Sequence, residues 1–348
     1  MQNDVELLDL MLKDQLKQKG LYHPGPYWKG YSSRIAKAIR SEGLQNFRTN
    51  SRIGKGYADT VVMNPFDLSS LDSWKSKIHK SIIQLPFFSR RFIDPFVQLN
   101  ERHFRQTQRY KSLYYTNIYG DWFSQFSKQH SLPDTLVGNP QNRISINNYE
   151  MGESYLASFI RVYNYSKVVD FNKVKSIIEI GGGFGAFAHT LLHLYPNIKK
   201  YIYLDIPPIL YVGTQYLKHF YKDEVIDYRR TRKLKNINFS SNDQREIIAI
   251  CPWEIEKIDA NIDLFWNSAS FQEMTHDMVL NYSHHINRML IDSDSKLCLY
   301  VYKSGKPENT LMPKKLLEIV ENNTRIVFDE FEPELEIANA HYFLGRKK

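Results

Sequence analysis

The sequence predicts an α/β fold: a seven-stranded, mostly parallel sheet with helices on both faces and an antiparallel final strand, preceded by a mainly helical N-terminal domain. Three observations support this prediction. Short apolar runs alternate with helical patterns from residue 176 onward. The first of these runs ends in a glycine cluster, and the last two are joined without a helix. Alternating strands and helices give a sheet that is covered on both faces, and a direct connection gives an antiparallel pair.

The glycine cluster follows the first apolar run, in the segment Ile-Ile-Glu-Ile-Gly-Gly-Gly-Phe-Gly-Ala-Phe at 177–187. A strand, a glycine turn and a helix in this order place backbone N–H groups at a helix N-terminus, where a polar cofactor can approach closely. A second apolar run, 201–204, ends at Asp205. That acid lies about 20 residues on, where nucleotide-binding folds hold the ribose hydroxyls. These features predict a nucleoside-cofactor site.

The glycine spacing fits two kinds of cofactor. Gly181, Gly183 and Ala186 satisfy the dinucleotide pattern, and Gly181, Gly183 and Gly185 satisfy the tighter pattern of S-adenosylmethionine enzymes. Glu179 favours the second, because a carboxylate there repels a pyrophosphate and attracts a cationic cofactor. The chain downstream does not repeat the glycine turn, as a two-half dinucleotide fold would. We therefore predict S-adenosylmethionine as the cofactor.

The remaining elements follow in alternating order. Two prolines fit the first turn of a helix that begins at Pro207. Strands are predicted at 246–250, 262–266, 296–302, 324–328 and 341–344. Helices are predicted at 274–290 and 312–320, and the basic stretch 229–235 is interpreted as a loop. An antiparallel final strand between its neighbours is typical of the Rossmann-like sheet of class I methyltransferases.

Composition indicates a soluble globular protein of 348 residues, 42% of them hydrophobic, with a mean hydropathy of −0.47. No run approaches the ~20 apolar residues of a membrane span. The first residues lack a signal-peptide pattern. The two cysteines, Cys251 and Cys298, have no metal-binding spacing and are interpreted as reduced core residues. We expect a cytoplasmic protein without a transmembrane segment.

Charge divides the chain into two predicted domains. Residues 1–149 contain 21 Lys and Arg against 12 Asp and Glu, whereas residues 150–348 contain 25 against 26. The basic N-terminal domain is also rich in aromatic residues, a combination that suits an anionic or sugar-like partner. The alternative is a solvated basic surface over an aromatic core. We assign acceptor binding, or a lid, to 1–149 and cofactor binding to 150–348.

Helices are predicted through most of the N-terminal domain. The predicted segments are 5–16, a helix carrying Trp74, Ile78 and Ile82, 90–110 with an interruption near Pro95, and 121–129. A linker rich in turn-forming residues covers 132–148. A helix at 150–169 then leads into the first strand of the sheet.

The chain resembles the sugar O-methyltransferases of bacterial surface-polysaccharide and secondary-metabolite gene clusters. The resemblance covers most of the chain, and its most specific motif is Ser-Phe-Gln-Glu-Met at 270–274, after the fourth strand. The other matching segments are Trp28, 43–48, 137–140, 179–185, 204–207 and Asn267-Ser268. The resemblance implies methyl transfer from S-adenosylmethionine to a sugar hydroxyl. It also implies cofactor contacts from Ile206, Asn267 and Ser268, and acceptor contacts from Gln272.

The segment after the fourth strand is the predicted catalytic region, because ligands of open α/β sheets bind beyond the carboxyl ends of the strands. A sugar hydroxyl is very weakly acidic, so methyl transfer to its oxygen is helped by a general base that removes the proton. Glu273 is the first candidate and His276, three residues on, is the second. The alternative for Glu273 is a carboxylate that is merely stabilised at a helix N-terminus.

Two acceptor-binding candidates come from outside that segment. Arg48 combines the family's Phe-Arg pair with a guanidinium fork that suits phosphate. Tyr149, beside the helix that leads into the sheet, is a candidate for a ligand contact, although a packing role fits it equally. No convincing metal-ligand set is present, so we expect metal independence.

Three alternatives stay open on the sequence. The basic half suits a nucleic-acid methyltransferase, but the Asn-Pro-Pro-aromatic type of base pocket is absent after strand four. A small natural product could replace the sugar as acceptor. A non-catalytic module or an NAD enzyme could use a similar sheet. We expect a sugar or glycan acceptor, phosphorylated or nucleotide-linked, and no nucleic acid; a homo-oligomer stays open.

Overall fold

The computed structural model describes residues 1–18, 20–50, 52–53, 90–129, 131–291, 295–302, 311–332 and 340–347. The predicted helix around Trp74 lies outside these residues. The described helices are α1 (Val5–Gln15), α2 (Pro26–Glu42), α3 (Arg90–Gln129), α4 (Glu153–Ser166), α5 (Ala186–Leu194), α6 (Pro207–Tyr221), α7 (Tyr228–Thr231), α8 (His276–Met289) and α9 (Pro313–Val320). The described strands are β1 (Arg143–Ile146), β2 (Tyr149–Gly152), β3 (Ser176–Ile180), β4 (Lys200–Leu204), β5 (Val225–Ile226), β6 (Glu246–Ile250), β7 (Leu264–Ser268), β8 (Lys296–Tyr302), β9 (Thr324–Glu332) and β10 (Ala340–Lys347).

The main sheet has the strand order β5-β6-β4-β3-β7-β8-β10-β9. Its pairs are parallel from β5 to β8, and β10 runs antiparallel between β8 and β9. The α/β fold class and the antiparallel final strand are therefore confirmed. The seven predicted strands are all present, and β5 adds a two-residue strand at one edge.

The described residues form two compact units, 1–45 with 157–348, and 46–156. In the first unit, α1 and α2 pack against α6. Their buried side chains include Leu7, Met11 and Ile39, so burial of apolar surface joins these helices to the sheet unit. The predicted domain boundary between 149 and 150 stays a prediction, and the compact units divide the chain elsewhere.

The second unit is built on α3 and the β1–β2 hairpin. The predicted interruption near Pro95 is wrong, because α3 continues through it for 40 residues. Hydrogen bonds to the hairpin help to hold this long helix: the amide of Asn147 donates to the carbonyl of Gly120 at 2.6 Å, and the backbone N–H of Ser145 donates to the Ser112 hydroxyl at 3.0 Å. The hairpin itself replaces part of the predicted linker, where turn residues concealed two four-residue strands.

Two further elements differ from the sequence prediction. Helix α2 was not predicted, although it begins with Gly25 and Pro26, a common helix-start pair. The stretch interpreted as a loop at 229–235 begins inside α7, which Asp227 caps by accepting a hydrogen bond from the backbone N–H of Arg229. Among the described residues, no helix is long and apolar enough to cross a membrane.

Candidate functional site

The glycine turn after β3 adopts backbone conformations that need glycine. Gly181, Gly183 and Gly185 have φ angles of +79°, +62° and +91°. A Cβ atom on Gly181 would also collide with the Ser270 side chain. The turn delivers the chain into α5, for which Gly185 is the N-cap. Backbone and neighbouring side chains therefore approach one another closely at the carboxyl end of the central strand.

A cavity lies at this end of the sheet, with a volume of about 40 Å³. It is lined by His23, Gly25, Trp28, Ile180, Gly181, Leu204, Asp205, Ile206, Pro252, Ser270, Glu273, Met274, Met278 and Tyr282. Ligand pockets usually have about 300–1,000 Å³. The volume of this cavity lies below that range. A larger cavity of about 460 Å³ lies beside Asp263, at the opposite ends of the strands.

Asp205 ends β4 and points its carboxylate into the glycine turn. Its Oδ2 accepts a hydrogen bond from the backbone N–H of Gly183 at 2.8 Å, and its Oδ1 accepts one from that of Ile206 at 2.7 Å. Burial raises the pKa of Asp205 to about 7, and the nearby Glu273 carboxylate adds to the rise. The predicted ribose acid is thus placed at the glycine turn, as its spacing indicated.

Glu179 lies beneath the turn, on β3, with 2% of its surface exposed. The hydroxyl of Tyr201 donates to its Oε2 at 2.8 Å. Burial raises the pKa of Glu179 to about 8, the Tyr201 hydrogen bond opposes that rise, and the charge of Asp205 adds to it. Glu179 does not line the cavity, so its influence on a ligand there is electrostatic.

Glu273 comes from the short 3₁₀ helix Ser270–Glu273, which follows β7 through Ala269 in a left-handed conformation, φ +65°. Its Oε2 accepts a hydrogen bond from the indole N–H of Trp28 at 2.8 Å. Burial raises the pKa of Glu273 to about 7, against the lowering effect of that hydrogen bond. A carboxylate with a pKa near neutrality suits a general base.

Asn267 and Ser270 fix the segment that carries Glu273. The Asn267 amide nitrogen donates to the carbonyl of Ile180 at 2.8 Å and to Ser270 Oγ at 2.6 Å, and its oxygen accepts from the backbone N–H of Phe271 at 3.2 Å. Asn267 is fully buried and ties β7 to β3. It therefore holds the segment that carries Glu273 against the end of β3. Ser268 follows it on β7 and does not line the cavity.

Two other predicted residues near Glu273 do not reach the cavity. His276 is half exposed on the first turn of α8, and its Nδ1 lies 3.1 Å from the carboxylate of exposed Asp277. Gln272 is 1% exposed and does not line the cavity. The catalytic role of His276 and the acceptor contact of Gln272 stay predictions.

Arg48 and Tyr149 belong to the second compact unit. Arg48 is fully buried, and its guanidinium donates to the carbonyls of Thr135 and Val137 and packs 5.5 Å from the ring centre of Tyr155. The predicted contact of Arg48 with a phosphate stays a prediction, and the structure gives its guanidinium backbone carbonyls as partners. The Tyr149 hydroxyl donates a hydrogen bond to the carbonyl of Pro133, and burial raises the pKa of Tyr149 above its usual value. These contacts fit the packing role that the sequence left open for Tyr149.

Sequence reasoning missed the contribution of the N-terminal segment to this cavity. His23, Gly25 and Trp28 line it together with the ends of the parallel strands. Trp28 stood out only as part of the family resemblance, without a role. The Gly25-Pro26 pair was the signal that a helix starts there, but nothing in the sequence indicates which surface that helix meets.

The chain was compared with protein-family models, with curated protein sequences and with solved structures. Residues 150–231 match the family model of the O-methyltransferase domain. That match includes the glycine turn and Asp205 and ends before Glu273. It confirms, for this domain, the predictions of a methyltransferase and of S-adenosylmethionine as the cofactor. A search of curated protein sequences gives no match.

Solved structures with similar folds include the mitomycin 7-O-methyltransferase MmcR, at 16% identity over 55% of this chain and 54% of that one, with a TM-score of 0.37. The pyocyanin biosynthetic protein PhzM is 11% identical over 56% of each chain, with a TM-score of 0.40. A protein of Pyrococcus horikoshii OT3 is 10% identical over 57% of this chain and 92% of that one, with a TM-score of 0.40. The matched region is about half the length of the first two proteins.

The charges around the cavity fit a cationic cofactor. Glu179 is buried, whereas Asp205 and Glu273 are half-buried, and the pKa values of all three are raised by this full or partial burial and, for Glu179 and Asp205, by a neighbouring carboxylate. S-adenosylmethionine has a positive sulfonium and a positive ammonium group, which would compensate these carboxylates; a pyrophosphate would be repelled. Gly181, Asp205 and Ile206, which were predicted to contact the cofactor, all line the cavity. Among the described residues, no group of three or more His, Cys, Asp and Glu side chains could hold a metal ion.

The raised pKa of Glu179 predicts how stability depends on pH. The unfolded value is 4.5 and the folded value about 8, so the stability that the buried carboxyl contributes is fully present below pH 4.5 and is lost as pH rises toward 8. Between those limits the free energy of unfolding of Glu179→Gln should fall less steeply with pH than that of the unchanged protein. Urea unfolding at a series of pH values measures the two slopes, and equal slopes would contradict the assignment.

The burial of Arg48 predicts a structural loss on a conservative change. Arg48→Lys removes donors to buried carbonyls and should lower the free energy of unfolding by about 2–4 kcal/mol. Arg143→Lys is the matched control, since Arg143 is 36% exposed and pairs with exposed Glu150; its change should cost less than ~1 kcal/mol. Chemical denaturation of both variants makes the comparison. Similar stabilities of the two variants would contradict a structural role for the Arg48 guanidinium.

Proposed function

We propose that the protein is an S-adenosylmethionine-dependent O-methyltransferase that methylates a sugar hydroxyl. The observation that carries this proposal is the position of Glu273. The half-buried carboxylate of Glu273, with a pKa of about 7, lines the same cavity as Gly181 and Asp205. A nucleoside site and a general base are thus neighbours at the carboxyl end of the sheet, the usual place of catalysis in open α/β folds.

The cofactor-binding role in this proposal rests on Asp205 and the glycine turn. Asp205 would accept the ribose hydroxyls, with Ile206 beside it in the cavity wall. Its backbone partners, Gly183 and Ile206, hold the carboxylate in one orientation before a ligand arrives. When bound, S-adenosylmethionine supplies an activated methyl group.

The acid–base role rests on Glu273. Its carboxylate takes the proton from the acceptor hydroxyl as the oxygen becomes methylated, and the proton is released to solvent after product departure. At neutral pH a group with a pKa of about 7 is ionised in about half of the molecules and is still a stronger base than an ordinary Glu. Burial is the cause of both properties, since it destabilises the charged form.

The sugar acceptor is supported by the resemblance at 270–274 and by the basic, aromatic character of 1–149. An excess of positive charge in that half suits an acceptor that is phosphorylated or nucleotide-linked, by attraction over distance rather than by one anchor. A small natural product is the alternative acceptor. It would use the same cavity and the same base, so the two differ only in the groups that recognise the ring.

The proposal is tested by incubating the full chain with S-adenosylmethionine and a panel of nucleotide-sugars, glycan fragments and phenolic natural products. Mass spectrometry detects a product heavier by one methyl group. We expect methylated sugars and, in parallel, S-adenosylhomocysteine. Methylation of phenolic compounds alone would overturn the sugar acceptor and keep the methyl transfer. No product with the panel and NAD-dependent turnover instead would overturn both.

Asp205→Ala should weaken binding of S-adenosylmethionine by about tenfold to a thousandfold, because two charge-assisted hydrogen bonds to the ribose are lost. Asp223→Ala is the matched control, since Asp223 is exposed at the far end of α6, and should bind normally. Isothermal titration calorimetry on folded protein measures both affinities. An unchanged affinity in Asp205→Ala would remove the ribose assignment.

Glu273→Gln should lower kcat by about 10²–10⁴ with little effect on cofactor affinity, because the amide cannot take a proton. His276→Ala is the control on the neighbouring helix turn and should keep most of the activity, since His276 points to solvent. Steady-state rates and cofactor titrations of both variants separate chemistry from binding. The opposite ranking would transfer the role of base to His276.

A further inference from the structure

We infer that Trp28 is a positioning residue for the reaction: its indole holds one oxygen of Glu273 and leaves the other for the acceptor hydroxyl. This inference rests on the proposed function, because it assigns a second residue to the same base. The observation that supports this inference is independent of those that support the proposed function. It is the contact that α2, a helix from the N-terminal part of the chain, makes with Glu273.

The start of α2 is fitted closely to the Glu273 segment. A Cβ atom on Gly25, the N-cap of α2, would lie 3.0 Å from the carbonyl oxygen of Glu273. Pro26 follows at the first position of the helix, where its ring fixes the backbone. Trp28 lies two residues further on, and its Nε1 is 2.8 Å from Glu273 Oε2. The helix start therefore places the indole at the carboxylate by backbone contact as well as by the hydrogen bond.

The indole ring is itself held between neighbours on α2. Its centre lies 5.5 Å from that of Tyr27 and 6.1 Å from that of Tyr31, both in edge-to-face arrangements. Aromatic pairs of this geometry restrict ring rotation. The carboxylate thus receives a donor from a ring with little freedom of its own, a condition for precise orientation of a base.

The chemistry of the donor suits this role. An indole N–H donates only and does not titrate in the working range, so Trp28 cannot take the acceptor proton itself. Among the described residues, Glu273 Oε1 receives no side-chain or backbone hydrogen bond. One oxygen of Glu273 is therefore held by Trp28, and Glu273 lines the cavity in which its other oxygen would receive the hydroxyl. A hydrogen bond to the charged form also opposes the effect of burial and keeps the base ionisable near neutral pH.

The other titratable groups that line this cavity are His23 from the segment before α2, Asp205 from β4 and Tyr282 from α8. Asp205 interacts with Glu273 and titrates in the same range. On the elements next to Glu273, His276 and Asp277 are exposed. All of these groups stay in place when Trp28 is replaced, so a difference between variants reports the loss of the indole.

The test is Trp28→Phe, which keeps an aromatic ring and removes the N–H. Without that donor the carboxylate ionises at higher pH, by about one unit. The acidic limb of the plot of kcat/KM against pH should move to higher pH by that amount. Activity should fall about fivefold at pH 7, and the difference should shrink as pH rises toward 9. A uniform loss at every pH, with an unmoved limb, would overturn the inference and leave Trp28 as a packing residue.

Tyr22→Phe is the matched control for loosening of the N-terminal segment. The Tyr22 hydroxyl donates to Glu256 at 2.5 Å, so its removal also cuts a bond between that segment and the sheet unit, at a distance from Glu273. The control should leave the acidic limb where it is. An equal shift in Tyr22→Phe would mean that attachment of the segment, and not the indole, sets the ionisation of the base.

A spectroscopic measurement separates this inference from the proposed function. Tryptophan fluorescence of the protein without ligand should change near pH 7 as Glu273 ionises beside the indole, and the change should be lost in both Trp28→Phe and Glu273→Gln. A transition that survives in Glu273→Gln would overturn the pairing of Trp28 with Glu273. If the fluorescence transition is present in the unchanged protein and lost in both variants, but Glu273→Gln keeps full activity, Trp28 does pair with Glu273 and Glu273 is not the base of the proposed function.

Discussion

The withdrawal of three carboxylates from water at the carboxyl end of the sheet, complete for Glu179 and partial for Asp205 and Glu273, is the constraint on which the rest of the site depends. Glu179, Asp205 and Glu273 lie where ionisation is opposed by low polarity, and for two of them a neighbouring acid raises the pKa further. Such an arrangement costs stability unless hydrogen bonds or a positive ligand compensate it. The hydrogen bonds are present, from Tyr201, from backbone N–H groups and from Trp28. The carboxylates would be stabilised further by a positively charged ligand, and positive charge is the property that distinguishes S-adenosylmethionine from a dinucleotide.

The same constraint explains why the first 45 residues belong with the sheet. Residues of α2 and the segment before it line the cavity beside Glu273, and the partial burial of Glu273 raises its pKa to about 7. Ion pairs fasten the segment at its other end: Asp4 lies 2.5 Å from Arg229 and Asp14 lies 2.8 Å from Arg232.

The sequence predicted the sheet well because its strands are short, buried and punctuated by glycine and proline. β6 and β8 have the predicted limits, and the glycine turn and Asp205 lie together as their spacing indicated. Glu273 could be predicted for the same reason, since strand ends in this fold share one edge. Trp28 could not be given a role, because its contact joins residues 245 positions apart and no periodicity encodes it. The burial of Arg48 could not be predicted either, because charge alone does not reveal that a guanidinium donates to backbone carbonyls.

The most direct test of this account is calorimetry of cofactor binding at pH 6.5 in buffers of different ionisation enthalpy. If positive charge compensates the buried carboxylates, binding of S-adenosylmethionine should release protons from them, and S-adenosylhomocysteine, which lacks the sulfonium charge, should release fewer. Glu179→Gln should reduce the release for S-adenosylmethionine. Binding of S-adenosylmethionine without proton release, or preferential binding of NAD, would contradict the claim that the carboxylate cluster selects the cofactor.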